Sequence, residues 1–258
     1  MKEEFFITLL SNSSSSYFPD NRTTHFITQL PHTIQLEGSW VVGLAEIQYP
    51  CSLLTINSGD NFVYVTKMRG NRTMERILTK IKSGLYNDIP MVINELNKIP
   101  EIEQEVDFKY DKLTQKVTVD FKGEGGEFII VELSFSPKLA VQLGFAPGQN
   151  LYLKGSALHP ANLLLGLPSQ MFIYCDIIEP QIVGDNSVKL LRNVTIDNTV
   201  YTYGSTKSNI FNPIHYIPVL KRGFENIEID IRTDTGENIP FMFGTSSVKL
   251  HFKNIDQL

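Results

Sequence analysis

The hydrophobic pattern is most continuous between residues 38 and 50, GSWVVGLAEIQYP, where the ten residues from Trp40 to Tyr49 hold a single charge, Glu46. Read at period two, Val41, Gly43, Ala45, Ile47 and Tyr49 share one face and Trp40, Val42, Leu44, Glu46 and Gln48 the other. Both faces begin apolar and one turns polar towards the end. The β-branched and aromatic content predicts a core strand that needs cover on two sides, and Pro50 stops its ladder. An apolar run predicts a strand at 5–10, alternation one at 24–30 with Phe26, Thr28 and Leu30 on one face and Pro31 as its end, and apolar, β-rich content one at 171–179, with 187–197 a further candidate. Two cleaner strands close the chain. Ile227, Ile229 and Ile231 alternate with Glu228 and Asp230, and Val248, Leu250 and Phe252 with Lys249 and His251. Each should keep one face in core and one in water, with the turn Asp234-Thr235-Gly236 and a short apolar crossing at 239–244 between them.

Turn chemistry marks the connections. The stretch SNSSSSYFPDN reads as an exposed loop, Gly70-Asn71 as the turn of a hairpin made by 61–68 and 72–81, and 198–209, rich in Tyr, Thr, Ser and Asn, as another loop. Between 84 and 147 the period changes. Ile89, Val92, Ile93 and Leu96 recur at helical spacing after a capping Asp88, with Pro90 in the first turn and Pro100 closing the segment. Strands at 106–110 and 116–122, a turn at 123–126, a strand at 127–135 and a short helix begun by Ser136-Pro137 and stopped by Gly144 complete this unit. The expected fold is mainly β: a jelly-roll (Greek-key) antiparallel sandwich of about eight strands, built from 1–83 and 148–258, with a small inserted α+β subdomain at 84–147.

At 258 residues, 42% hydrophobic and 20% charged, the chain can form one large β domain or two small ones, and a formal charge of -5 gives no global bias towards nucleic acid. Two cysteines, Cys51 and Cys175, cannot build a disulfide scaffold, and MKEEFFITLL lacks the long apolar core of a secretion signal. Together these predict a reducing compartment, in which the sequons at Asn12, Asn21, Asn71 and Asn193 stay unused. No run of about 18 apolar residues occurs, so no membrane span is expected.

Candidate chemistry is sparse. His25, His32, His159, His215 and His251 are scattered, with no HExxH, His-x-His or Cys-x-x-Cys to build a metal site. His251 falls on the outward face of its strand and reads as a surface histidine. Gly-x-Ser-x-Gly is absent, Cys51 reads as a strand-end packing residue, and GEGGE lacks the Lys-Ser/Thr of a phosphate loop and reads as a hairpin turn. Carboxylate pairs such as Glu101 and Glu103, or Asp185 and Asp197, fall in loops or on solvent faces. No catalytic, cofactor-binding or metal-ligating residue is assigned, no cofactor is expected, and the chain is read as non-enzymatic. One local excess of base stands out, Lys67, Arg69, Arg72, Arg76, Lys80 and Lys82 against Glu75. Contact with nucleic acid or an acidic partner would use it, and the charge-protected edge of a hairpin explains it more simply.

The opening FFITLLSNSS, then PDN, Phe26, Leu30-Pro31, Gly38 and WVVGLAEIQYP resemble the amino-terminal signature of the minor capsid, or penton, proteins of Polinton/Maverick elements and adintovirus-like viruses. Gly84-Leu85-Tyr86, Leu143-Gly144-Phe145, Thr235-Gly236, Ile239-Pro240-Phe241, Phe243-Gly244 and Leu250-His251-Phe252-Lys253 are similar to that family in order and spacing. The resemblance implies a jelly-roll subunit that forms a homopentamer at the five-fold vertices of an icosahedral virion, assembled inside the host cell. It also implies a separate double-jelly-roll major capsid protein as partner. The loops at 201–216 and 11–17 are the candidate rims of such a ring. The alternative is a carbohydrate- or protein-binding jelly-roll module without catalysis, using exposed aromatics such as Tyr201, Tyr203 or Tyr216.

Overall fold

The computed structural model describes residues 3–69, 73–122, 129–152, 154–197 and 202–256. The chain opens with β1 (Glu4–Leu10), β2 (His25–Gln35) and β3 (Trp40–Pro50). Next come β4 (Phe62–Arg69), β5 (Thr73–Lys80), α1 (Ile89–Leu96), β6 (Val106–Asp111), β7 (Lys116–Phe121), β8 (Ile129–Phe135), α2 (Pro137–Gln142) and β9 (Lys154–Ser156). The last part holds β10 (Gln170–Cys175), β11 (Gln181–Val183), β12 (Asn186–Val188), β13 (Leu190–Thr195), β14 (Thr206–Ile210), β15 (Ile217–Pro218), β16 (Gly223–Arg232) and β17 (Ser247–Asn254).

β3 has the two-sided cover its pattern demands. Every residue in it except Glu46 and Gln48 is buried, and it pairs with β17 on one side and with β14 and β15 on the other. One sheet runs β1-β17-β3-β14 and the second β13-β10-β16-β2, all antiparallel. Along the chain β1, β2, β3 and β10 alternate between the sheets, β13 stays beside β10, and β14, β16 and β17 alternate again. The first and last strands therefore lie side by side, which is the connectivity of a jelly roll. Between the sheets Phe26, Leu44, Ile47, Tyr49, Ile229 and Phe252 are fully buried, and each such side chain contributes about 1.5–3 kcal/mol relative to exposure.

The chain divides into two compact units, Met1–Leu53 with Pro168–Leu258, and Leu54–Leu167. The inserted unit is wider than the expected 84–147, because the hairpin of β4 and β5 pairs with β8 and sends Val63 and Val65 into the insert's own core. A second small sheet, β6-β7-β9, completes it. In α1 the expected apolar stripe, Ile89, Val92, Ile93 and Leu96, is buried and Asp88 Oδ1 accepts from Met91 N at 2.9 Å. Ser136 precedes α2 without capping it, since its hydroxyl donates to the Asp60 carbonyl instead (2.7 Å). Gln142, at the end of α2, is buried and its amide donates to the carbonyls of Thr55 (2.8 Å) and Leu163 (2.9 Å), joining the first and last segments of this unit.

Other differences from the sequence reading have local causes. β2 does not end at Pro31: residues 30–33 face only Glu225 on β16, so no ladder bond needs the missing N–H, and β2 is an edge strand where proline is tolerated. Residues 206–210, read as loop, form β14, whose polar sequence TKSNI is held by its ladder to β3. The strand expected at 187–197 is split into β12 and β13, with Cys175 N bonded to the Lys189 carbonyl at the break, and the strand expected at 171–179 stops at Cys175. The turns at Gly70-Asn71 and at 123–126 lie outside the described residues.

Candidate functional site

The outer face of the sheet β1-β17-β3-β14 gathers the side chains that the core does not use. Phe6 on β1 lies opposite His251 on β17, which lies opposite Gly43 on β3. Gly43 has no side chain, and residues 214–216 cross the sheet in the space it leaves. Tyr216 then reaches His251, with its hydroxyl hydrogen-bonded to Nδ1 at 2.7 Å, while Phe6 stacks on the imidazole with centroids 4.3 Å apart. His251 Nε2 lies 3.3 Å from Glu4 Oε2, within ion-pair range though not aligned as a hydrogen bond. Burial, and then the Glu4 carboxylate, push the Tyr216 phenol above its ordinary value.

His251 is therefore buried, at 7% exposure, not the surface histidine that strand alternation predicts. Two elements distant in sequence cover it. Around it the same face leaves apolar surface in solvent: Phe6 is 54% exposed, Leu10 44%, and Ile210 78%. On the outer face of the other sheet several polar groups pair with one another. His25 Nε2 meets Glu228 Oε1 at 2.8 Å, Arg232 meets Asp230 at 2.6 Å, and Asn193 Nδ2 donates to Gln170 Oε1 at 2.6 Å.

The candidate rims differ from free loops. The 11–17 loop is anchored by Asn21, whose Nδ2 donates to the carbonyls of Ser13 (3.0 Å) and Ile27 (2.9 Å) and whose Oδ1 accepts from Ile27 N. Tyr17 still projects, 70% exposed. In the 202–216 stretch Tyr203 packs edge-on to Phe243 and the Tyr216 hydroxyl bonds to His251, and both rings stay partly exposed. Tyr201 lies outside the described residues. At the far edge of the sandwich the Arg192 guanidinium sits 3.9 Å over the Phe211 ring, and desolvation lowers its pKa. No short window signals that contact: Arg192 falls in the strand expected at 187–197, but Phe211 lies in the stretch read as loop.

In the inserted unit the basic hairpin is partly consumed. Lys67 Nζ meets Glu105 Oε1 at 3.0 Å, both groups being mostly buried, and Glu105 Oε2 accepts from Ile130 N. Arg76 lies 5.3 Å over the Tyr64 ring on the edge strand β5. The side chains of Arg69 and Arg72 lie outside the described residues. The remaining Lys80 and Lys82 are exposed on or beside that edge, as a protective charge requires.

The remaining carboxylates, thiols and histidines stay apart. Glu101 accepts from the Thr79 hydroxyl (3.1 Å), Asp185 from Asn186, and Asp197 lies 3.9 Å from Lys207 Nζ. Cys51 and Cys175 are both buried free thiols, and burial pushes the Cys175 thiol up to about 12. His32 is exposed and His159 is exposed in the other unit. Among the described residues no group of three or more His, Cys, Asp or Glu is placed to hold a metal ion, and no helix is long and apolar enough to cross a membrane.

No protein-family model and no curated protein matches the chain. Among solved structures it is similar to the crystal structure of selenomethionine-labelled mavirus penton protein, with a TM-score of 0.52 across 98% of this chain and 100% of that one at 13% sequence identity. At that identity the likeness establishes the fold: the chain is a mainly β, jelly-roll protein of the kind seen in a viral penton.

Proposed function

We propose that this chain is a structural capsid subunit, a penton of a Polinton/Maverick or adintovirus-like particle that closes as a ring of five at the shell's vertices. The observation that carries the reading is the jelly roll shared with mavirus penton protein over nearly the whole length of both chains. The sequence resemblance points the same way from independent residues. A ring of identical wedges uses a heterologous contact, one face of each copy against a different face of the next. The two outer faces of this sandwich differ in that sense, one carrying exposed Phe6, Leu10 and Ile210 and the other closed by its own ion pairs. A stable contact needs burial on the order of 1,000 Å² or more. The proposed partner at the ring's perimeter is a double-jelly-roll major capsid protein, and the proposed location is the virion.

The test is the solution mass of the purified protein, with negative-stain images. Rings with five-fold symmetry and a mass five times the 29.2 kDa of one chain are expected. A monomer that persists at every concentration, alone and with the major capsid protein, would reject the reading.

A further inference from the structure

The sandwich is open along one side. β1 ends one sheet and β2 ends the other, and between β1 and the second half of β2 lies a groove of about 620 Å³ lined by Phe5, Ile7, Leu30, Ile34 and Trp40, with Glu37 and His32 exposed beside them. Phe5, Ile7 and Ile34 are only partly buried, so the core reaches solvent there.

The backbone of β1 fixes what could close it. Asn254 N donates to the Glu3 carbonyl at one end of the β1–β17 ladder and Ser11 N to the Ser246 carbonyl at the other. Antiparallel alternation between those two bonds turns the N–H and C=O groups of Phe5, Ile7 and Leu9 towards β17 and those of Glu4, Phe6 and Thr8 away from it. No strand of the described residues pairs on that side. Natural edges are usually blunted by charge or proline. β2 has Pro31 and β5 has Arg76 and Lys80, whereas EFFITLL carries one charge, Glu4, at its end.

We propose that β1 is a docking edge for an extended segment of a partner polypeptide, which adds as an outer strand and fills the groove. The unpaired backbone selects a peptide over a lipid or small molecule, since only an extended main chain satisfies alternating donors and acceptors. Residues of the incoming strand opposite Phe5 and Ile7 point into the groove and must be apolar, and those between them face water. The exposed Glu37 carboxylate selects a Lys or Arg at the end of the segment nearest it. The site does not depend on the capsid reading.

The experiment is selection of random dodecapeptides displayed on phage against the immobilised full chain, with counter-selection on Thr8→Pro. Proline at position 8 removes an outward N–H and leaves the ladder to β17 intact, a position where edge strands tolerate it. Enriched peptides should alternate apolar and polar residues and carry a base. Their synthetic forms should lose about tenfold or more in affinity on Thr8→Pro, and likewise when alternate peptide nitrogens are methylated, as loss of outward hydrogen bonds requires. Should Thr8→Pro fail to fold, Glu37→Lys, outside the ladder, keeps the test decisive: the preference for a basic residue must disappear. Equal retention on wild type and Thr8→Pro, or affinity indifferent to N-methylation, would overturn the proposal. So would self-association of the wild type abolished by Thr8→Pro, which would make a second copy the occupant.

Discussion

Replacing Gly43 by alanine tests whether the middle of β3 is shaped to receive the crossing segment. A Cβ at this position would sit 2.5 Å from the His215 carbonyl oxygen and would also collide with Ile214 Cγ2. The Gly43 backbone is not left-handed, so the added methyl acts through volume alone. Overpacking against a backbone that cannot rotate away costs about 1–3 kcal/mol. Lifting residues 214–216 also breaks the 2.7 Å bond between Tyr216 and His251, a further loss of about 0.5–1.5 kcal/mol. The less flexible unfolded chain returns about 0.4–1 kcal/mol, which leaves a net destabilisation of roughly 0.5–4 kcal/mol. Trp40 is the one tryptophan in the chain and is buried in this unit, so its fluorescence in urea follows the unfolding of this unit. The midpoint should fall while the slope stays constant. Adding Ile214→Ala should recover only part of the loss, because the contact with the His215 carbonyl remains. An alanine variant with the wild-type midpoint would refute the reasoning.

Gln142→Leu should destabilise the inserted unit by about 2–4 kcal/mol, since two buried carbonyls lose their donor; hydrogen exchange of the amides of α2 and β8 would register it. Lys67→Ala should cost about 1–3 kcal/mol by stranding the mostly buried Glu105, whereas Lys80→Ala should leave the thermal midpoint unchanged; equal effects would show that Lys67 is an ordinary surface cation. Asp256 is held below the usual aspartate range by the Ser39 backbone N–H at 2.8 Å and by the Ser39 side chain. A depressed folded pKa means that its stabilisation is present above the ordinary value and lost as pH falls through the folded one. The stability gap between wild type and Asp256→Asn, measured by urea titration at several pH values, should therefore close below about pH 4 and persist at neutrality.

What could be read from the sequence was whatever a short window determines. β3 is apolar on both faces, and Ile227, Ile229 and Ile231 of β16 and Val248, Leu250 and Phe252 of β17 alternate with polar residues, so the burial of those six follows from residue order. The stripe and cap of α1 are equally local. Residue order predicts the hairpin of β4 and β5 but not the unit it joins, because its pairing with β8 depends on residues far along the chain. β14 has no local signal for a related reason: TKSNI has no apolar period, and its strand character comes from the neighbour it pairs with. A signal for the His251 cluster was present in Gly43, since a glycine inside a strand marks a close approach of other backbone. The sequence could not say that residues 214 and 215 make that approach.

Ile210 offers the sharpest test of how the proposed ring is held. It stands on the edge strand β14, opposite Glu46 of β3, on the same outer face as Phe6 and Leu10. A side chain 78% exposed contributes almost nothing to the fold of its own subunit, so Ile210→Asp should lower the stability measured in urea by no more than about 1 kcal/mol, the cost of a carboxylate set opposite Glu46. In a ring whose contact buries this face the same change places a carboxylate in an apolar interface, at a cost of about 2–5 kcal/mol per contact. Sedimentation should then show the ring dissociating to folded monomers for Ile210→Asp. The control is Asn193→Asp on the opposite outer face, whose side chain already meets Gln170 and which should leave the mass unchanged if that face is not similarly buried. Intact rings with Ile210→Asp would place the contact elsewhere.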